Sequence, residues 1–360
     1  MTLNLRTLHK LAACGIFTFA LTLATQLNAQ HLTLEGQTGG FITPTAYVVD
    51  TAKGKFFSHP AVGFHFISAK AVIGDFETFS VTEGFANRAE VGYTRSVHQE
   101  GNAAAATATN AATSNLWDFN GMNIFHGKVV GIKDGQFGPW TPGLAVGGVL
   151  RTDDRFVSGA ALPLAVEAYD EFCVTSKLCT AEAVPAVKSY TNGDVYIAVT
   201  KTWAKKPVPF LANFGWKATN AAILGIGGQS TRFGGVFFGG LGIPLPLTHG
   251  FVAVPSAGFS QEPHSVKGLG PNSPLGTPPS AIPLVASRAD LPTTLDYAVR
   301  VTQREHPHFS FDIGVGQVAG NIGSTIVPVA LPSPPYVTTV NVPVNLKARS
   351  VLGLGLSYRY

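Results

Sequence analysis

The last fifteen residues alternate in chemistry with almost no fault. Leu346, Ala348, Ser350, Leu352, Leu354, Leu356, Tyr358 and Tyr360 share one phase, and Lys347, Arg349, Gly353, Gly355, Ser357 and Arg359 share the other. Side chains on a strand point to opposite faces in turn, so this segment predicts a strand with one apolar and one polar face. Lipid offers backbone N–H and C=O groups no partner, so such a strand crosses a bilayer only inside a closed barrel. About 9 to 11 tilted residues suffice, and Leu352 to Tyr360 supplies nine. Tyr358 and Tyr360 fall where an interfacial aromatic girdle would lie, and read as a C-terminal signal for barrel-assembly machinery. For one alternating strand taken alone, a soluble sandwich is the competing reading.

The other end bears on that choice. Arg6 and Lys10 precede an apolar stretch from Leu11 to Thr25 that runs into Gln26-Leu27-Asn28-Ala29. This reads as a secretory signal peptide over residues 1–29, with the mature chain starting near Gln30. Leu11-Ala12-Ala13-Cys14 imitates a lipoprotein box, but its cysteine precedes the apolar region instead of following it. Arg6 and Lys10 are the only charged residues removed, so the mature chain keeps 23 of the 25 Lys and Arg against 21 Asp and Glu. A balance near +2 argues against a nucleic-acid partner. Cys173 and Cys179 remain, spaced for a small disulfide loop in an oxidising compartment, with two free thiols as the alternative. Nothing near them supplies the further ligands of a metal site, and no cofactor is indicated.

No mature segment has 18 continuous apolar residues, so helical spans are not expected. Charge is low at 13%, Gly numbers 40 and Pro 24, a mixture that disfavours long amphipathic helices. Period-2 segments lie at 59–69, 72–81, 88–98, 116–131, 140–151, 194–203, 208–217, 232–243, 250–261, 293–305, 308–319 and 344–360. The expected fold is therefore all-β, a transmembrane antiparallel barrel of about twelve strands, with ten or fourteen as the neighbouring even counts. Long gaps follow strands three, five, nine and eleven, and short ones follow strands two, four, six, eight and ten. That parity is expected when long loops face outward and short turns face the periplasm. The expected organisation is a leader over 1–29, an N-terminal segment over 30–57 and the barrel over 58–360. Gly39-Gly40 and Thr43-Pro44 break the N-terminal segment, which either tucks into the lumen as a plug or adds an edge strand.

The stretches Thr38-Gly39-Gly40-Phe41-Ile42-Thr43-Pro44-Thr45-Ala46, Asn87-Arg88-Ala89-Glu90-Val91-Gly92-Tyr93-Thr94-Arg95, Val199-Thr200-Lys201-Thr202 and Pro292-Thr293-Thr294-Leu295-Asp296-Tyr297-Ala298-Val299-Arg300 resemble the DUF3034 family of bacterial outer-membrane proteins. A looser likeness at the N-terminus points to barrels associated with exopolysaccharide export. The resemblance implies a Gram-negative type outer membrane and a barrel, and implies no particular activity.

On strand ten, Asp296, Arg300 and Arg304 share a phase opposite Leu295, Tyr297, Val299 and Val301. A mid-depth Arg or Lys facing lipid costs about 2–4 kcal/mol, so the charged phase should face the lumen. The same argument places Arg88, Glu90, Asp312, Lys347 and Arg349 there. Such a set suits a pore that steers small or oligomeric solutes, including polysaccharide. The alternative is a filled structural or adhesive barrel that binds a partner through its outer loops. A membrane-embedded lipid hydrolase is the minor alternative. His98, His126, His249, His264, His306 and His308 offer bases, but none lies in a Gly-x-Ser-x-Gly motif. His306-Pro307-His308 sits at an expected turn, and Gly314-Val315-Gly316 and Gly353-Leu354-Gly355 lie within strands without a following helix, which excludes a dinucleotide loop.

Overall fold

The computed structural model describes residues 31–69, 74–99, 122–153, 191–203, 209–221, 229–263, 266–267, 293–303, 308–330 and 337–359. The expected leader, Cys173 and Cys179, Arg304 and Tyr360 lie outside them. Twelve antiparallel strands form the wall. They are β1 (Ala61–Ala69), β2 (Gly74–Phe85), β3 (Ala89–Gln99), β4 (Met122–Ile132), β5 (Gly143–Asp153), β6 (Thr191–Trp203), β7 (Phe210–Ala221), β8 (Gln229–Gly242), β9 (Phe251–Ser260), β10 (Thr294–Gln303), β11 (Phe309–Ala330) and β12 (Val337–Arg359). Each pairs with the next in sequence, and β12 returns to β1, with Val62 opposite Tyr358 and Phe66 opposite Leu354. The seam between β8 and β9 is closed by Ser256 opposite Gly242 through Ser260 opposite Phe238. Closure leaves the sheet no long free edge.

The wall is apolar outside and polar inside, the reverse of a soluble protein. On β6, Val195 and Ile197 are exposed while Asp194, Tyr196, Ala198 and Thr200 are buried. On β2, Phe79 and Val81 face out while Thr78, Ser80 and Thr82 face in. Only a lipid environment makes this arrangement favourable, so this is a transmembrane barrel. Aromatic side chains gather at the short-turn end. Trp203 stacks on Phe210 with ring centroids 4.4 Å apart, and Phe56, Phe57 and Phe85 form an edge-on cluster. Tyr358 lies on the outer phase at this end, opposite Phe309.

Two local features differ from expectation. The segment after Ala319, expected as a loop, continues as paired strand: β11 and β12 stay paired out to Ala330 opposite Val337, with register shifts between Val318 and Gly320 and between Asn321 and Ser324, past the level where β10 ends at Thr294 opposite Val318. The sequence Thr325-Ile326-Val327 and Val337-Thr338-Thr339-Val340 is rich in β-branched residues, whose preference for extended backbone outweighs the prolines. Three residues, Ala86, Asn87 and Arg88, join β2 to β3. Ala86 and Asn87 both have positive φ, and the Arg88 N–H donates to the Phe85 carbonyl at 2.8 Å, the hairpin turn whose twist matches its strands.

Ile197 sits centrally on the lipid face, opposite Trp216 and Val146. Ile197→Arg should lower the unfolding free energy in lipid vesicles by about 2–4 kcal/mol. An effect below about 1 kcal/mol would place this position at the membrane boundary.

Candidate functional site

The N-terminal segment runs inside the barrel as a plug. His31 to Val49 are almost wholly buried, although the segment contributes to no strand longer than an isolated bridge. It rises toward the loop end, turns at Glu35-Gly36-Gln37, and returns to the turn end, where Ser58 meets Gly84 of β2. Gly36 has φ +86°, a conformation side-chain-bearing residues rarely adopt, and the tight turn is closed by the Thr33 N–H donating to the Gln37 carbonyl. The wall makes room for it. A Cβ on Gly353 would lie 2.4 Å from the Phe41 ring, and one on Gly84 would lie 2.1 Å from the Val49 carbonyl oxygen.

Three buried charge clusters pin the plug to the wall. At the turn-side half, Glu90 of β3 pairs with Lys128 of β4 at 3.0 Å. Glu90 also accepts from the backbone N–H groups of Thr38 and Val49, while Lys128 donates to the carbonyls of Thr38 and Thr45. Near the loop end, Arg151 of β5 grips Glu35 through two parallel contacts of 2.5 and 2.9 Å and reaches Asp194 of β6 at 2.7 Å. Across the lumen, Asp312 of β11 lies 2.6 Å from His31 and 3.0 Å from Arg300 of β10. Neutral contacts complete the ring: Thr82 donates to the Gly36 carbonyl, Thr94 to that of Glu35, and Asn213 to that of Pro44. The Thr200 hydroxyl accepts the Ala46 N–H. Tyr47 donates to Asp134, which also holds Lys201 at 2.6 Å.

The residues expected to face the lumen divide as follows. Glu90, Asp296, Arg300 and Asp312 point inward. Lys347 and Arg349 lie on β12, with their side chains outside the described set. Arg88 is a correction. It closes the β2–β3 turn and is half-buried there, donating to the carbonyls of Val130 and Gly131 and to Gln136. A register shift between Val130 and Ile132 accompanies this contact, and the guanidinium satisfies carbonyl groups at the bulge instead of following the strand phase.

Lys128, Arg151, Asp194 and Lys217 were missed by phase analysis. On β4 and β5, Lys128 and Arg151 share the inner phase with Ile124, Val130, Ala145 and Val149, so hydropathy alternation is weak there. Part of the inner wall is apolar, with Met122, Ile124, Val149, Tyr196, Ala198 and Phe238 packed together. A cavity of about 10 Å³, room for about one water, remains beside the plug tip, lined by Glu35, Gln37, Tyr196, Lys217 and Ser260 among others.

Among the described residues, no three His, Cys, Asp or Glu side chains converge as metal ligands. His31, Asp312 and Ser357 approach a triad in composition, but Asp312 and Ser357 both address Nδ1 of His31, so the relay of proton from serine through the two ring nitrogens is not assembled. Of the other histidines proposed as bases, His126 is buried against Thr82, His249 sits in a turn, and His308 meets the Arg359 carbonyl. His98 lies on β3 with its side chain outside the described set, as do His264 and His306 entirely.

Burial and the nearby Arg300 hold the His31 imidazole below its ordinary value of 6.5, against the opposing pull of Asp312. The plug therefore seats with His31 neutral, fully above pH 6.5, and loosens as pH falls below that value. Amide exchange over residues 31–49, corrected for intrinsic rates, should be faster at pH 5.5 than at pH 7.5, and His31→Asn should reduce that difference. A second expectation concerns Lys128. Lys128→Met strands the Glu90 carboxylate and should cost about 3–5 kcal/mol in unfolding, much of it recovered in Glu90→Gln/Lys128→Met.

No protein-family model matches the chain, and no curated protein matches it. Among solved structures it is similar to a KdgM porin in complex with disordered oligogalacturonate, at 6% identity and TM-score 0.39 over 83% of this chain and 99% of that one. It is also similar to the NanC porin, at 7% identity and TM-score 0.39 over 84% and 100%. A Pseudomonas aeruginosa FadL homologue gives 8% identity and TM-score 0.35 over 85% and 90%. The barrel assignment rests on the chain's own strand pairing.

Proposed function

We propose that this is an outer-membrane pore held closed by its own N-terminal segment, which must shift for a small or oligomeric solute to pass. The observation that carries this reading is the plug itself. Residues 31–49 occupy the lumen and bind the wall from β2 to β7 on one side and from β10 to β12 on the other. Many of these contacts are polar, and water can replace them as they break, while Leu32, Phe41, Val48 and Val49 pack apolar surface on the wall that movement of the plug would uncover. The wall left behind carries Lys128, Arg151, Lys217 and Arg300 against Glu90, Asp194, Asp296 and Asp312, a nearly balanced charged lining suited to polar solutes.

The paired extension of β11 and β12 beyond the level of β10 favours a second reading, a barrel that displays this ribbon to a partner while the lumen stays filled.

Ala46 and Gly143 supply a test. A Cβ on Gly143 would lie 3.4 Å from that of Ala46, close to disulfide geometry. In the full chain with Cys173 and Cys179 changed to Ser, the pair Ala46→Cys and Gly143→Cys should form a bridge that locks the plug. Planar bilayers should be silent when it is oxidised and show openings when it is reduced. Equal conductance in both states would show that the plug gates nothing, and silence in both would favour the display reading.

A further inference from the structure

Glu35 sits at the tip of the plug, and the site that receives it is built by the wall. Arg151 presents its Nε and Nη2 as a fork to both carboxylate oxygens, the geometry that makes arginine selective for carboxylates. The fork does not depend on the plug for its position: Asp194 holds Nη2, Asn192 lies 3.4 Å from Nη1, and Asp194 accepts in turn from the Thr219 hydroxyl. Two further donors address the same region. The Gln37 amide nitrogen and the Tyr196 hydroxyl are buried without a hydrogen-bond partner, and both residues line the small cavity that adjoins Glu35, where Lys217 and Ser260 also stand. Buried donors left unpaired are costly, and they are expected where a ligand completes the set. Arg151 lies two residues from the end of β5, so the site faces the loop end, where a solute entering from outside arrives first.

From this geometry we propose that Arg151, with Tyr196, Lys217 and Ser260, forms a binding site for a solute carboxylate, and that Glu35 occupies it as a built-in competitor. A carboxylate-bearing solute would take the Arg151 fork, free the plug tip and promote opening. The proposal deepens the plugged-pore reading and rests on it for the opening step. The binding step can be measured separately.

Glu35→Ala in the full chain removes Cγ and the carboxylate beside an intact Arg151, and that space together with the adjoining cavity is that of a small carboxylate such as propionate. Sodium propionate should raise the thermal unfolding temperature of Glu35→Ala in detergent, at concentrations at least about tenfold lower than any effect on the wild type. Propionamide, which has the same shape without the charge, should not. Arg151→Lys added to Glu35→Ala keeps a cation beside Asp194 but loses the fork, and should abolish the response. Glu35→Ser, which also leaves that space open, serves in place of Glu35→Ala if the alanine variant does not fold.

Equal effects of propionate and propionamide, or an undiminished response with Lys at position 151, would overturn the site. For competition, propionate should slow formation of the 46–143 disulfide in the protein that retains Glu35 and Arg151. An unchanged rate would overturn the built-in competitor. If propionate binds in this way but the reduced 46–143 pair never conducts, the pore reading fails and the carboxylate site stands.

Discussion

A stretch of irregular backbone threaded through a barrel must find a partner for nearly every N–H and C=O it carries, because a filled lumen leaves little water to serve them. Here the wall side chains do that work. Glu90 accepts from two plug N–H groups, Lys128 donates to two plug carbonyls, and Thr82, Thr94, Asn213 and Arg300 each donate to another. The remaining needs are met inside the plug, as where Leu34 donates to Phe41 and Thr45 to Thr38. The charged residues of the inner wall are thus hydrogen-bonding groups for a guest segment as well as a lining.

This requirement explains the composition of the inner face. Residues that meet the plug backbone are Thr, Asn, Lys, Glu and Arg, and those that pass closest to it are glycines such as Gly84 and Gly353, where a side chain would collide. The outer face is governed by lipid alone and repeats Val, Ile, Leu and Phe with little regard to neighbour. One strand therefore serves two solvents, and its two phases follow different rules.

The barrel was legible in the sequence because lipid imposes period 2 on each crossing. All twelve expected segments overlap observed strands, including Leu352 to Arg359 with its register on β1. The path of residues 30–57 was not legible, since an irregular plug has no periodicity, and Gly39-Gly40 and Thr43-Pro44 mark turns without saying where they lie. Arg300 and Asp312 were found because they interrupt clean alternation. Arg151 and Lys128 were not, because their inner-face neighbours are apolar. Arg88 misled because it falls at a strand end, where the turn and the adjacent bulge direct the side chain instead of the pleat.

The three charge clusters also divide the plug by depth. Glu90 and Lys128 hold its returning arm, His31 and Asp312 its start, and Arg151 its tip. The tip is the part nearest the loop end, held by the Arg151 fork on the Glu35 carboxylate and by the Thr82 and Thr94 hydroxyls on the carbonyls of Gly36 and Glu35.

The most direct measurement is the accessibility of one position on the plug. A cysteine replacing Ala46, in the full chain with Cys173 and Cys179 changed to Ser and inserted in vesicles, should resist a bulky membrane-impermeant maleimide applied to both sides at neutral pH. It should react only on unfolding. Rapid labelling of the folded protein at that position would contradict the placement of the segment in the lumen and, with it, the account of a barrel closed by its own N-terminus.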